Sequence, residues 1–266
     1  MTPNVIVLDC ETTGLDKERD YVIDTCIHNT LSGKTSLWRT RPPVPIPEEI
    51  SKIHGITDEM VKDAPIFGGV ADYIAKEISE ADVIVGYNPD FDIDMLKSEF
   101  KRSGVEPKWP SVVICCKRLW DHYDPRPPRH LQNAFKEFVD QKGFEGAHGA
   151  AADVAATVKV FNLMVERFNL SKKPYEEYDP NRARMFGSSD HFHFSEDGQA
   201  LLVGFGKHKG KTVMDLDAWY LNFLREKDFP KHVKDLAERA AEQKKSNQSP
   251  EQNNATIASW AKVYGK

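Results

Sequence analysis

The chain has 266 residues, with 36 Lys and Arg against 41 Asp and Glu, a net charge of −5. That balance excludes a protein that holds a polyanion by bulk positive charge, and no apolar run approaches the ~18 residues of a membrane-spanning helix. The charge is uneven: 20 basic against 27 acidic residues up to position 170, and 16 against 14 beyond it.

One large domain plus a small module is the expected organisation at this length. The first strand-like run lies so near the N-terminus that no basic-then-apolar leader is expected, and no membrane association. Four cysteines (Cys10, Cys26, Cys115, Cys116) fall in strand-like segments without a Cys-x-x-Cys pair. Reduced, buried thiols in a cytoplasmic protein are the expectation.

Residues 5–8, Val-Ile-Val-Leu, read as a buried strand. Side chains alternate along it, so Val5, Val7, Asp9 and Glu11 share one face while Ile6, Leu8 and Cys10 share the other. Two carboxylates side by side at the end of a core strand repel each other and resist losing water. A divalent cation between them removes both costs, and hard oxygen ligands suit magnesium or manganese. Taken alone, the pair reads first as a strand that has ended in solvent.

Residues 21–28 and 34–39 read as two further strands, joined to the first as an antiparallel meander. Residues 41–47, with four prolines, run extended. Residues 48–52 make a short helical turn that leads into Ile53-His54-Gly55-Ile56-Thr57, and Thr57 is a helix cap followed by acids. An amphipathic helix over 67–78 and a fourth strand over 81–87 follow. Asn88 then caps a helix that has Pro89 at its first position. Helical phase places Asp92 on the apolar arc of Met95, Leu96 and Phe100, and puts Asp90 and Asp94 on the opposite, solvated arc with Lys97 and Lys101. A buried Asp needs donors or a metal.

Residues 112–116 are a fifth strand, followed by a loop with Pro125, Pro127 and Pro128, a helix over 130–139, a glycine-rich stretch over 143–149 and a long helix over 150–168. In the last helix Asp153 lies on the packing arc of Ala156, Val160 and Met164. His148, in the glycine loop, could approach the same site or simply be exposed. Four acids from three elements suit two cations roughly 3.5–4 Å apart, the arrangement used for displacement at phosphorus.

Asp9-Cys10-Glu11-Thr12-Thr13-Gly14, then Ile53-His54-Gly55-Ile56-Thr57, then Asn88 with Phe91-Asp92, then His148 with Asp153 resemble the ordered motifs of the DEDDh 3′–5′ exonucleases. The resemblance, over roughly residues 4–168, implies an α/β, ribonuclease-H-like fold: a mixed five-stranded sheet with an antiparallel meander, flanked by helices. It implies that Asp9, Glu11, Asp92 and Asp153 hold two Mg2+ or Mn2+ ions. Glu11 and His148 would act in catalysis, His148 as general base toward the attacking water. Thr13, Gly14, Leu15, Ile53 and His54 would line the pocket of the terminal nucleotide, with Asn88 at the sugar or behind the ligands; His54 could equally be a loop-packing residue. Gly149 stands where the sister branch has tyrosine, which excludes that variant. The implied activity is release of 5′-mononucleotides from DNA 3′ ends, single-stranded or frayed. An exoribonuclease on RNA ends and a catalytically inactive binding or scaffold protein are the alternatives.

Residues 171–190 are polar and aperiodic and read as a linker. A small α+β module is expected over 191–240, with a strand over 199–203. The turn that follows ends in Gly210-Lys211-Thr212, but Phe205 occupies the position where a phosphate-binding loop needs glycine. Lys207, His208, Lys209 and Lys211 make the turn basic, and it could contact backbone phosphates. A helix over 213–225 carries Trp219, Tyr220 and Phe223, expected as the core of the module. This stretch resembles the module appended to exonuclease X-type enzymes. Residues 241–266 are expected as a partly disordered tail, Gln/Asn-rich over 243–254, with 255–264 a docking helix at most.

Overall fold

The computed structural model describes residues 2–124, 130–227, 229–246 and 248–264. The expected proline loop at Pro125, Pro127 and Pro128, and residues 247, 265 and 266 of the expected tail, lie outside the described residues. The chain forms two compact units, Met1–Asp179 and Pro180–Lys266.

In the first unit, β1 (Val5–Thr12), β2 (Val22–Asn29) and β3 (Thr35–Arg39) form the antiparallel meander. Two short helices, α1 (Glu48–His54) and α2 (Asp58–Val61), precede α3 (Ala71–Ser79) and β4 (Val83–Gly86). Next come α4 (Pro89–Ser103), β5 (Val112–Cys115), α5 (Cys116–Tyr123), α6 (Leu131–Phe138) and α7 (Ala150–Arg167). The sheet order is β3-β2-β1-β4-β5, with β4 parallel to both β1 and β5. This mixed five-stranded sheet flanked by helices is the expected α/β architecture.

The alternation read from β1 is what builds the two layers. Val5 and Val7 enter the core with Ala156, Val160 and Met164 of α7, while Ile6, Leu8 and Cys10 enter the core on the other face, with α3 and α4. Asp9 and Glu11 therefore emerge on the α7 face. Both acids stand at the C-terminal end of β1, between antiparallel β2 and parallel β4, and open α/β sheets bind ligands outside the carboxyl ends of their strands.

Several expectations need correction. The helix expected over 67–78 is a 3-10 turn, Phe67–Gly69, followed by α3, because Gly68 and Gly69 weaken a continuous helix. Cys116 opens a helix instead of ending a strand, and the stripe that α5 buries includes Arg118, only 4% exposed, which breaks the apolar periodicity. Asp90, expected in solvent, is buried. Its partner is that same Arg118, whose Nη1 lies 2.7 Å from Asp90 Oδ2, while Nη2 lies 2.8 Å from Asp179 Oδ2. The expected linker is packed through residue 179: the Tyr178 hydroxyl donates to the Leu170 carbonyl at 2.9 Å, and its ring meets Phe161. Among the described residues all four cysteines are unpaired and buried, and no helix is long and apolar enough to cross a membrane.

The second unit pairs β6 (Phe192–Phe194) with β7 (Leu201–Val203) and adds α8 (Ala218–Glu226), α9 (Lys231–Gln243) and α10 (Pro250–Tyr264). The helix expected over 213–225 is broken. Val213–Asp215 is a 3-10 turn closed by a Thr212–Asp215 capping box, and Asp217 starts α8 by accepting from the Tyr220 amide at 2.7 Å. The tail expected to be partly disordered is helical over Pro250–Tyr264, with Ile257 and Ala261 in the core of the unit. Trp219, expected in that core, is 67% exposed.

Candidate active site

β1 carries Asp9 and Glu11 to the edge of the α7 face, and Asp153 meets them from the first turn of α7. Ligand oxygens of these three half-buried residues lie within 4.8 Å of one another. Asp92 belongs to α4, on the opposite layer, yet its Oδ1 accepts a hydrogen bond from the Cys10 amide at 3.0 Å. Cys10 stands between Asp9 and Glu11, so this one bond fastens the fourth acid to the end of the strand. Gly86 lets β4 deliver α4 this close: a Cβ there would meet Pro89 Cβ at 2.6 Å and the Leu8 carbonyl at 3.1 Å.

The electrostatics follow from four carboxylates drawn out of water together. Burial, then repulsion from Asp92, Asp153 and Glu11, pushes the Asp9 carboxyl well above the usual range. Burial, Asp153 and Asp92 push Glu11 up to about 8. Asp92 rises to about 7, mainly by burial, against the opposing hydrogen bond from Cys10. Burial also raises Asp153, while a backbone hydrogen bond from His148 and its imidazole pull the other way. The buried Oδ1 of Asp153 has no hydrogen-bond partner among the described residues. Clustered acids that repel, with an orphaned acceptor oxygen, fit a divalent cation, which supplies charge and ligation at once.

Loop geometry decides the remaining candidates. His148 is exposed in the left-handed backbone region, φ 66°, and its backbone contact with Asp153 sets it beside the acids. The sequence left His54 open between pocket and loop packing. Its Nδ1 accepts from the Ile56 amide at 3.0 Å, so that nitrogen carries no proton. Burial holds the imidazole pKa low, while the Thr12 backbone acts in the opposite direction, which places the ring next to the end of β1. Leu15 and Ile53 remain 65% and 56% exposed. Asn88 sits in the left-handed region, φ 74°, half-buried, and its side chain makes no capping bond, contrary to its expected role as cap.

Thr13 does not face a nucleotide through its side chain. It is 1% exposed, and its hydroxyl donates to Asp20 Oδ1 at 3.0 Å and accepts from the Tyr21 amide at 3.0 Å. Gly14 is required for the same turn, because a Cβ would sit 2.4 Å from Asp20 Oδ2. Asp24 was missed altogether. It lies opposite Glu11 across the β1–β2 ladder, buried, and is held bidentately by Arg39 at 2.9 and 2.8 Å. That pair keeps Asp24 from adding a full uncompensated charge beside Glu11.

Residues 6–161 match the family model of the RNase T exonucleases. The match spans more than half of the chain, which therefore belongs to this exonuclease family, as a DEDDh-type, DnaQ-like member. It is 30% identical over 184 residues to the DNA polymerase III epsilon subunit of Rickettsia prowazekii, covering 64% of this chain and 80% of that one. It is also 30% identical over 165 residues to a PolC-type DNA polymerase III of Caldanaerobacter subterraneus subsp. tengcongensis, covering 61% of this chain but only 12% of that protein. Among solved structures, exonuclease X in complex with 5′-overhanging duplex DNA shares the fold, with a TM-score of 0.50 and 22% identity over 66% of this chain and 98% of that one.

Proposed function

We propose that the chain is a metal-dependent 3′–5′ exodeoxyribonuclease that releases 5′-mononucleotides from single-stranded DNA or frayed 3′ ends. The observation that carries this reading is the convergence of Asp9, Glu11 and Asp153 within 4.8 Å, with Asp92 tied to the same strand end. Asp9, Glu11, Asp92 and Asp153 would hold two Mg2+ or Mn2+ ions. When bound, such ions stabilise charge at phosphorus and acidify the attacking water.

The chain's own residues supply the rest. His148 takes the proton from water: it is exposed, borne on a loop, and its backbone contacts a carboxylate of the site. Leu15 and Ile53 offer apolar contact to the terminal nucleoside, and His54, neutral through its bond from Ile56, packs beside Thr12. The Thr13–Asp20–Gly14 turn fixes where that wall begins.

Digestion of end-labelled single-stranded DNA, duplex DNA and RNA with magnesium or manganese tests the proposal. Mononucleotides released stepwise from the 3′ end of DNA, blocked by EDTA and lost in Asp9→Ala, are expected. Internal cuts, release from the 5′ end, or full activity in Asp9→Ala would overturn it. Faster hydrolysis of RNA than of matched DNA would move the substrate to RNA while leaving the chemistry in place.

A further inference from the structure

The residues assigned to the chemistry above all lie in the first unit, and the second exposes a surface of its own. Trp219, in the first turn of α8, is 67% exposed, and its ring lies parallel to that of Phe223 one turn later, centroids 5.8 Å apart and 9° between planes. Phe223 is half-buried against the core of the unit, and the Trp219 ring stacked on it is left open to solvent, where large aromatic rings are uncommon. The Lys207 ammonium stands over the Trp219 ring at 5.8 Å.

Lys207 belongs to a turn that is itself held rigidly. The Val203 amide donates to the Lys211 carbonyl at 2.9 Å, the Gly210 amide donates to the Val203 carbonyl at 2.8 Å, and Leu202 pairs with Thr212. Lys207, Lys209 and Lys211 are exposed on it, with no acid from 203 to 212. The nearby Asp215 and Asp217 are exposed too, but their carboxylates are engaged as caps to Thr212 and to the Tyr220 amide. An exposed tryptophan backed by a half-buried phenylalanine, beside a backbone-braced turn of exposed lysines, matches a ligand with flat apolar faces spaced along a polyanion.

We propose that Trp219 and Phe223, with Lys207 and Lys211 of the basic turn, form a stacking platform for a single-stranded polynucleotide. Bases stack on the exposed Trp219 ring, which Phe223 backs, and backbone phosphates meet the lysines, which gives affinity without sequence readout. The proposal rests on the nuclease reading for its purpose: the platform retains the strand whose 3′ end the first unit consumes. Joined by one chain, two surfaces that engage the same strand strengthen its retention through effective concentration.

The test uses the full chain. Binding of a labelled oligothymidylate of about twenty nucleotides is followed by fluorescence anisotropy in EDTA, which stops hydrolysis. Trp219→Ala is expected to raise Kd roughly 5- to 100-fold, and Trp219→Phe to keep most of the affinity. Lys207→Gln with Lys211→Gln should flatten the dependence of log K on log salt by about 0.7 for each phosphate no longer neutralised. Oligouridylate is expected to follow oligothymidylate, since stacking does not read the sugar. With magnesium restored, Trp219→Ala should raise KM on the long strand and leave kcat on a dinucleotide unchanged. Unaltered oligothymidylate binding in Trp219→Ala, with its circular dichroism matching the parent, would overturn the platform and leave the nuclease standing. Loss of binding in Trp219→Ala from a chain that digests no nucleic acid would instead remove the nuclease reading alone.

Discussion

Replacing Arg118 with methionine keeps most of the side-chain volume and removes the cation that Asp90 and Asp179 share. Both aspartates are buried, 6% and 7% exposed, and both face the guanidinium at 2.7–2.9 Å. Removing one member of such a buried set costs about 3–5 kcal/mol, because the remaining charges stay desolvated. At roughly 2–4 °C per kcal/mol for a unit of this size, thermal unfolding of the full chain should move down by about 6–20 °C. Asp90 lies two residues before Asp92, in the same helical turn, so the loosened start of α4 should also weaken cation binding, read by titration of magnesium or manganese. Neutralising the whole set, with Arg118→Met, Asp90→Asn and Asp179→Asn together, should recover most of the stability, because the desolvated charge is then gone. A single variant within about 2 °C of the parent would refute the reasoning. A triple variant as unstable as the single one would locate the cost in packing rather than charge.

Three further outcomes follow from the site. His148→Ala should lower the rate on the order of 10²–10⁴-fold while metal binding persists; a near-normal rate removes it as the base. Without cation, Glu11 and Asp92 titrate near 8 and 7 in the folded chain, far above their ordinary 4.5 and 3.8, so folding takes up protons and the stability they confer, full at low pH, is lost as pH rises through about 8. Added magnesium or manganese relieves that repulsion, so the gain in melting temperature over EDTA should grow from pH 5 to pH 8; a pH-independent gain contradicts it. Gly14→Ala should destabilise by about 1–3 kcal/mol, seen as a lower urea midpoint, since its Cβ displaces an Asp20 carboxylate already bonded to Thr13 and Asp16; an unchanged midpoint would show that the turn yields freely.

The acids of the site were legible because each stands where periodicity speaks. Strand alternation separated Asp9 and Glu11 from Cys10, and helical phase selected Asp92 beside Met95 and Leu96 and Asp153 beside Ala156 and Val160. The same phase argument failed for Asp90. It assumed that an acid off the apolar arc meets water, whereas Arg118, from a helix the sequence did not announce, covers it. Trp219 misled for the converse reason: aromatics four apart in a helix share a face, but spacing does not say whether that face looks in or out.

The sequence by itself determined which local elements carry chemistry, because alternation, helical phase and turn residues are properties of consecutive positions. It also determined the acidic character of the site, since four carboxylates are fixed at positions where strand alternation and helical phase bring them to packed faces. Tertiary structure alone decided which partners lie across the chain: Cys10 holding Asp92, Asp20 consuming the Thr13 hydroxyl, Arg39 neutralising Asp24, and Arg118 binding two distant aspartates. Those pairings join residues up to 82 positions apart, and a side chain's partner at that distance is set by how layers pack rather than by its neighbours in sequence.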